Sequence, residues 1–230
     1  LHDSSAALIP YLVSFNEPFV LLSTGTWCIS LNPFDDSQLT TDELKVDCLC
    51  YLQYKGSPVK ASRLFSGFEY EQQVKRIAEH FNQDAIKFRS VDFDAKIADE
   101  IGKSKVRDTT VTDLKQSQFE TRDLSGFKND TYAYHQLVLD LIDLQVISTG
   151  LVLKNTKTKR IFVDGGFSKN SVYMHLLAAA FPEIEVYAAS MPQSTALGAA
   201  LSIHNEWNAR PIPKDIIQLN YYSSGSASHV

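Results

Sequence analysis

The segment Asp164-Gly165-Gly166-Phe167-Ser168-Lys169-Asn170 has the residue types of a backbone site for a phosphorylated ligand. It follows an apolar run, Arg160 to Asp164, and precedes a helical pattern that opens at Asn170 or Ser171. Two glycines let the main chain approach a ligand with no Cβ in the way. The N-terminus of the following helix offers free amides and a partial positive charge, which suits phosphate. Asn170 has the donor and the acceptor to meet a ribose or a purine edge. An ordinary strand–turn–helix connection uses glycines in the same way, and the segment alone does not choose between the two. It is neither a P-loop, for want of the Lys-Ser/Thr ending, nor a G-x-G-x-x-G turn.

Three other groupings could take part. Ser23-Thr24-Gly25-Thr26 puts hydroxyls and exposed amides at a turn, where they could grip a terminal phosphate. A lone turn of this composition is more often just a turn. His2-Asp3-Ser4-Ser5-Ala6-Ala7 sets a carboxylate before a helix. Asp3 or Ser4 there is a helix cap worth about 1 kcal/mol, or Asp3 is a general base aimed at a hydroxyl. Ser194-Thr195-Ala196-Leu197-Gly198-Ala199-Ala200 carries small residues on successive turns, which points to close helix packing.

These groups need elements to hold them. Ser4 to Ser14 suits a helix interrupted or ended near Pro10. Phe19 to Leu31 reads as a hairpin with the Ser23–Thr26 tip. Val46 to Tyr54 and Pro58 to Leu64 read as strands, and Phe68 to Phe81 as a helix with Val74, Ile77, Ala78 and Phe81 on one stripe. Residues 82 to 125 are mixed, with a short helix around Asp94 to Ile101. Asp130 to Lys154 is a long helix, Ile184 to Tyr187 a strand, and Ser194 to Asn205 a helix after Pro192. Alternating strands and helices imply an α/β layer with a parallel portion. Residues 1–222 form the domain, and the Ser-rich end, 223–230, reads as a disordered tail.

Composition excludes several classes. The chain has 230 residues, 44% hydrophobic and 21% charged, with a net charge of −5. No basic face of the kind that binds nucleic acid stands out. Lys154, Lys157, Lys159 and Arg160 read as a solvated turn. Three cysteines, Cys28, Cys48 and Cys50, fit a reducing compartment. Cys48 and Cys50 read as two small buried residues, without the further ligands a zinc site needs. No stretch reads as membrane-spanning and no signal peptide is seen, so the expected setting is cytoplasmic. Because the chain opens on Leu1, directly in a polar motif, it reads as a piece of a longer protein.

Taken in order, Asp3 with its small residues, the Gly-Thr hairpin, the strand-DGG-x-x-x-N-helix and TALGAA resemble the C-terminal domain of the FGGY carbohydrate kinases. The resemblance covers nearly the whole chain and is carried by residues 1–31 and 130–206. It implies an actin-like ATPase fold of ribonuclease-H-like type, a mixed sheet flanked by helices, as one half of a two-domain kinase whose N-terminal sugar-binding domain is absent here. Sugar then lies mostly against the first domain and ATP mostly against this one. Asp3 matches the aspartate that deprotonates the sugar hydroxyl. Gly25 and Thr26 match the hairpin at the terminal phosphates, Gly165 and Gly166 the glycines at the α-phosphate and ribose, and Asn170 the asparagine near adenosine. Mg²⁺ would bridge the phosphates, and no metal ligand is assigned to the protein. His2 and the Ser23–Trp27 tip look most like the deoxyketose branch of rhamnulose and fuculose kinases.

The family's glutamate-glycine pair early in the long helix is replaced by Tyr134-His135-Gln136-Leu137-Val138. The expected activity is ATP-dependent phosphorylation of a ketose or polyol hydroxyl, with the 230 residues alone folding, binding nucleotide weakly if at all and transferring nothing. A non-enzymatic actin-like ATP switch and a domain kept for dimerisation remain alternatives, and a homodimer is left open.

Overall fold

A computed structural model describes residues 2–103, 114, 117–191, 193–213 and 215–223. The expected tail beyond Ser223, Leu1 and Pro192 lie outside the described residues. Among the described residues seven strands form one sheet: β1 (Phe19–Thr24), β2 (Cys28–Asn32), β3 (Cys48–Leu52), β4 (Pro58–Leu64), β5 (Arg160–Gly165), β6 (Glu185–Ser190) and β7 (Gln218–Tyr222). Their order is β3-β4-β2-β1-β5-β6-β7. The central β1, β5 and β6 run parallel, and the outer pairs are antiparallel.

β1 and β5 read as continuous apolar runs because both of their faces are covered. Alternate residues serve alternate faces. Val20, Leu22, Ile161 and Val163 join one core with α3 (Ser66–His80), α5 (Asp130–Leu153) and α6 (Ser171–Ala180). Phe19, Leu21 and Phe162 join the other with Leu8 and Tyr11 of α1 (Asp3–Ser14) and with Leu197 of α7 (Ser194–Ser202). The result is the expected mixed sheet between helices.

α5 lies along the sheet through small polar residues. Thr149 bonds Ser30 at 2.9 Å and Ser148 bonds Ser62 at 2.7 Å. Gln145 joins Thr149 and Tyr173. Contrary to the sequence expectation, α5 is long and apolar enough to cross a membrane by composition, but 67% of its apolar window is buried within the fold. It is a core helix whose Gln145, Ser148 and Thr149 are answered by the sheet and whose Asp140 is answered by Arg122.

Pro10 does not interrupt α1. Proline has no N–H, so the Ala6 carbonyl loses its usual donor four residues on. That carbonyl faces Gly198 of α7, where a Cβ would sit 1.8 Å from it. The two helices therefore meet at a freed carbonyl and a glycine, which supports packing as the reason for Gly198. His2 holds the cap position of α1, and the Ser4 N–H lies 3.3 Å from His2 Nδ1 but donates at 2.7 Å to Asp3 Oδ1, so the Asp3 carboxylate serves the first turn.

Other boundaries also differ. The last helical pattern breaks at Ile203 into α7 and a short α8 (His204–Trp207). A capped turn of helix, α2 (Thr41–Lys45), a 3-10 segment (Ala85–Ser90) and β7 were not anticipated, whereas α4 (Ala95–Lys103) was. Cys48 is buried, but Cys50 is exposed, because cover is lost along the edge strand β3.

Candidate functional site

The site begins with strand register. Thr24 pairs with Gly165, so the β1–β2 tip stands beside the Gly165-Gly166 turn. The Thr24 hydroxyl donates to the Asp164 carbonyl at 2.6 Å and accepts from the Phe167 N–H at 3.0 Å. Gly165 has φ +93°, and a Cβ there would lie 1.9 Å from the Thr24 carbonyl oxygen. The tip is held from its other side by α3. A Cβ on Gly67 would lie 1.8 Å from the Gly25 carbonyl oxygen, and the Phe68 N–H donates to the Thr26 carbonyl at 3.1 Å. Two glycines, neither with room for a side chain, thus clasp the hairpin.

Between these pieces lies a cleft of about 830 Å³, within the ~300–1,000 Å³ of small-molecule sites. The tip contributes Gly25 and Thr26, and the turn contributes Gly166 and Asn170. Tyr70 and Val74 of α3, Phe167, and Phe88 of the 3-10 segment give it an apolar floor. Tyr70 meets Phe167 edge-on at 5.1 Å, and Phe167 stacks on Tyr173 at 4.3 Å. Lys75, Arg89 and Lys169 line it with one carboxylate, Glu71, so it is cationic in a chain of net charge −5. That balance favours an anion with a flat apolar portion.

Four of the six expected residues, Gly25, Thr26, Gly166 and Asn170, therefore share one wall. Gly165 lies behind them and shapes the turn, whereas a Cβ on Gly166 would meet open space. Burial raises the Asp164 carboxyl above the usual range, and its Oδ1 accepts from the Gly165 N–H at 2.8 Å. Asp3 is not in the cleft wall. Its side chain is 74% exposed at the start of α1, 2.7 Å from His2 Nδ1. The His2 ring lies 5.2 Å from Tyr51, Tyr51 bonds Arg63, and the Arg63 guanidinium lies 5.0 Å over Trp27 of the hairpin. This run of contacts connects the start of α1 to the tip on the face away from α3.

Two details of the expected phosphate cradle are corrected. α6 does not present a bare N-terminus behind the glycines, because a 3-10 turn (Gly166–Lys169) intervenes and Asn170 Oδ1 caps the helix by accepting from the Tyr173 N–H at 3.1 Å. At the tip, the Gly25 N–H is bonded to the Trp27 carbonyl at 2.9 Å, which leaves the Thr26 N–H and hydroxyl as donors. Asn170 Nδ2 donates to Tyr134 at 2.9 Å and keeps one hydrogen for a ligand. Tyr134, in the stretch that lacks the family's glutamate-glycine pair, also meets Tyr70, O to O at 2.9 Å. Sequence reasoning missed Tyr70, Phe88 and Arg89. Tyr70 and Val74 are one turn apart on a recognised helix, a spacing that could have placed them together, but the 3-10 segment carries no periodic signal.

The cleft suits a nucleotide's ring and phosphates. Among the described residues no cluster of three His, Cys, Asp or Glu could hold a metal ion.

The family description "Carbohydrate kinase FGGY, C-terminal domain" matches residues 16–211. That match begins after Asp3. Among curated proteins nothing matches the chain. A carbohydrate kinase from Novosphingobium aromaticivorans is 21% identical with a TM-score of 0.68, over 97% of this chain and 47% of its own. A ligand-bound xylulose kinase from Lactobacillus acidophilus is 16% identical with a TM-score of 0.63, over 96% of this chain and 45% of its own. The glycerol kinase of Plasmodium falciparum, solved with ADP, is 14% identical with a TM-score of 0.54, over 90% of this chain and 42% of its own. At such identities the likeness is one of fold, that of an actin-like ATPase domain, and the chain spans about half the length of these structures. None of the three is described as a deoxyketose kinase, and the rhamnulose and fuculose reading finds no support in them.

Proposed function

Since the chain belongs to the FGGY carbohydrate kinase family, through that family's C-terminal domain, we propose that its cleft is the ATP site of a kinase that phosphorylates a ketose or polyol hydroxyl. The supporting observation is the cleft itself, in which Gly25, Thr26, Gly166 and Asn170 meet although they are far apart in sequence. In this reading Phe167, Phe88 and Val74 receive the base and ribose, and Lys75, Arg89 and Lys169 draw in the phosphates. The Thr26 N–H and hydroxyl hold the terminal phosphates. ATP supplies the transferable phosphoryl group, together with Mg²⁺.

Asp3 is proposed as the base that accepts the proton of the sugar hydroxyl, a role worth on the order of 10²–10⁴ in rate. When His2 Nδ1 is protonated it donates to Asp3 and holds the carboxylate in one orientation. Asp3 stands outside the nucleotide cleft, and a base for the acceptor substrate belongs beyond the terminal phosphate rather than beside the nucleoside. Closure by a second domain would bring sugar to it and exclude water.

Photolabelling with 8-azido-ATP and Mg²⁺ tests the nucleotide assignment. Label is expected on peptides covering residues 66–90 and 166–171, with ADP competing. Label spread over the chain and indifferent to ADP would contradict it.

A further inference from the structure

Three polar groups on three elements form a chain at the back of the cleft: Asn170 before α6, Tyr134 on α5 and Tyr70 on α3. Its direction follows from its fixed end. The Tyr173 N–H can only donate, so the Asn170 atom it meets at 3.1 Å is Oδ1, and Nδ2 is the atom facing Tyr134. Nδ2 can only donate, so the Tyr134 oxygen accepts from it. Tyr134 is wholly buried, and among the described residues its own hydrogen has one partner in reach, the Tyr70 oxygen at 2.9 Å. Leaving a buried hydroxyl hydrogen unpaired forfeits its hydration with nothing in return, so Tyr134 donates to Tyr70. Tyr70 therefore accepts from Tyr134, and its own hydrogen is left over. Tyr70 is half-buried and lines the cleft.

We infer that Tyr70 is a ligand-binding residue whose hydroxyl, oriented by Asn170 and Tyr134, donates a hydrogen bond to a neutral acceptor atom on the base or ribose of the bound nucleotide. The arrangement acts one way. It presents a donor and rejects a donor, so it reads one edge of the ligand rather than its phosphate charge. Burial raises both phenols above their ordinary range, so both keep their hydrogens at neutral pH. Edge-on packing of Tyr70 against Phe167 fixes the ring from which the hydroxyl projects. The inference rests on the reading of the cleft as a nucleotide site.

The test compares ADP with 2′-deoxy-ADP and with the 1-deaza, 3-deaza and 7-deaza analogues, each titrated by calorimetry into the 230-residue chain, into Tyr70→Phe and into Tyr70→Phe/Tyr134→Phe. The double variant is included because Tyr70→Phe alone leaves the Tyr134 hydrogen unpaired and could lower stability. Both variants are expected to bind ADP about three- to tenfold more weakly, the span of a single neutral hydrogen bond. One analogue, the one lacking the acceptor atom, should bind all three proteins alike. Equal ADP affinity in wild type and Tyr70→Phe, or the same loss for every analogue, would overturn the donor role and leave the nucleotide reading standing. A wild-type chain that binds none of the five would overturn both.

Discussion

Gly165 and Gly166 are adjacent and identical in type, yet their surroundings differ. At Gly165 the backbone has φ +93° and ψ −148°, and a Cβ would strike the Thr24 carbonyl at 1.9 Å. Backbone of this kind costs a non-glycine residue on the order of 1–3 kcal/mol before any clash is counted. Gly165→Ala should lower the stability of the chain by at least that much in urea unfolding, and an unchanged midpoint would contradict the geometry. Gly166 has open space where a Cβ would go, so a side chain there should fill the cleft and leave the fold intact. Gly67 is a third case. Its alanine would press on the Gly25 carbonyl at 1.8 Å and displace the tip that carries Thr26. Gly67→Ala is expected to weaken Mg·ADP binding at least tenfold, about 1.4 kcal/mol, and retained affinity would show that the tip does not bind phosphate. The DGG motif marked the turn in the sequence, but not which glycine serves the chain and which the ligand. That distinction depends on Thr24, 141 residues before Gly165. Gly67 had no motif at all, since its neighbour is a hairpin it meets only in three dimensions.

At the scale of elements, strands with clear patterns were legible. β1, β2, β4 and β5 are apolar runs bounded by breakers, α3 is periodic, and α5 is a long apolar stretch. β7 was not, because Gln218–Tyr222 is an edge strand largely open to solvent, without the apolar alternation of a covered one. α2 is five residues held by a capping box in which Thr40 and Glu43 satisfy each other's backbone. Glu43 also joins a buried cluster. Lys60 Nζ on β4 lies 2.8 Å from Glu43, 3.1 Å from the Ser37 hydroxyl and 3.6 Å from Asp35. Removing the cation leaves two buried carboxylates unpaired, and Lys60→Met should cost about 3–5 kcal/mol. A loss below 1 kcal/mol in chemical unfolding would mean that the cluster is solvated. The same contacts set a pH dependence. The Lys60 hydrogen bond, aided by the Thr40 N–H, holds Glu43 near 2, below its ordinary 4.5. A carboxylate depressed in the folded state stabilises it above the unfolded value, so this contribution is complete above about pH 4.5 and disappears as pH falls toward 2. In Glu43→Gln that part of the acid-induced loss should be missing from a urea series run between pH 6 and 2.5.

The whole molecule is an FGGY-type C-terminal domain that spans about half the length of its solved relatives. The ordered set of motifs made the family legible, and the family fixed the fold. The cleft was legible only where glycines and Asn170 marked it. Its aromatic floor and cationic rim come in part from Phe167 and Lys169 of the Asp164-to-Asn170 motif, but otherwise from α3 and from residues 85–90, and the latter carry no repeat or motif. Asp3 remains a proposal, standing outside both the cleft wall and the residues that match the family. Because the solved relatives are about twice as long, this chain alone, now that its cleft is seen to be formed within it, is expected to bind nucleotide weakly, saturating by millimolar concentration, without phosphorylating xylulose or glycerol. Sugar-dependent ADP release from the chain by itself would contradict that division of labour. The most direct measurement for the central claim is calorimetric titration of Mg·ADP into the chain and into Gly166→Val. Saturable one-site binding in the wild type, lost in a variant with the same unfolding midpoint, is the result expected if the cleft beside the Gly165-Gly166 turn is the nucleotide site. Equal binding by both proteins, or none by the wild type at millimolar nucleotide, would contradict it.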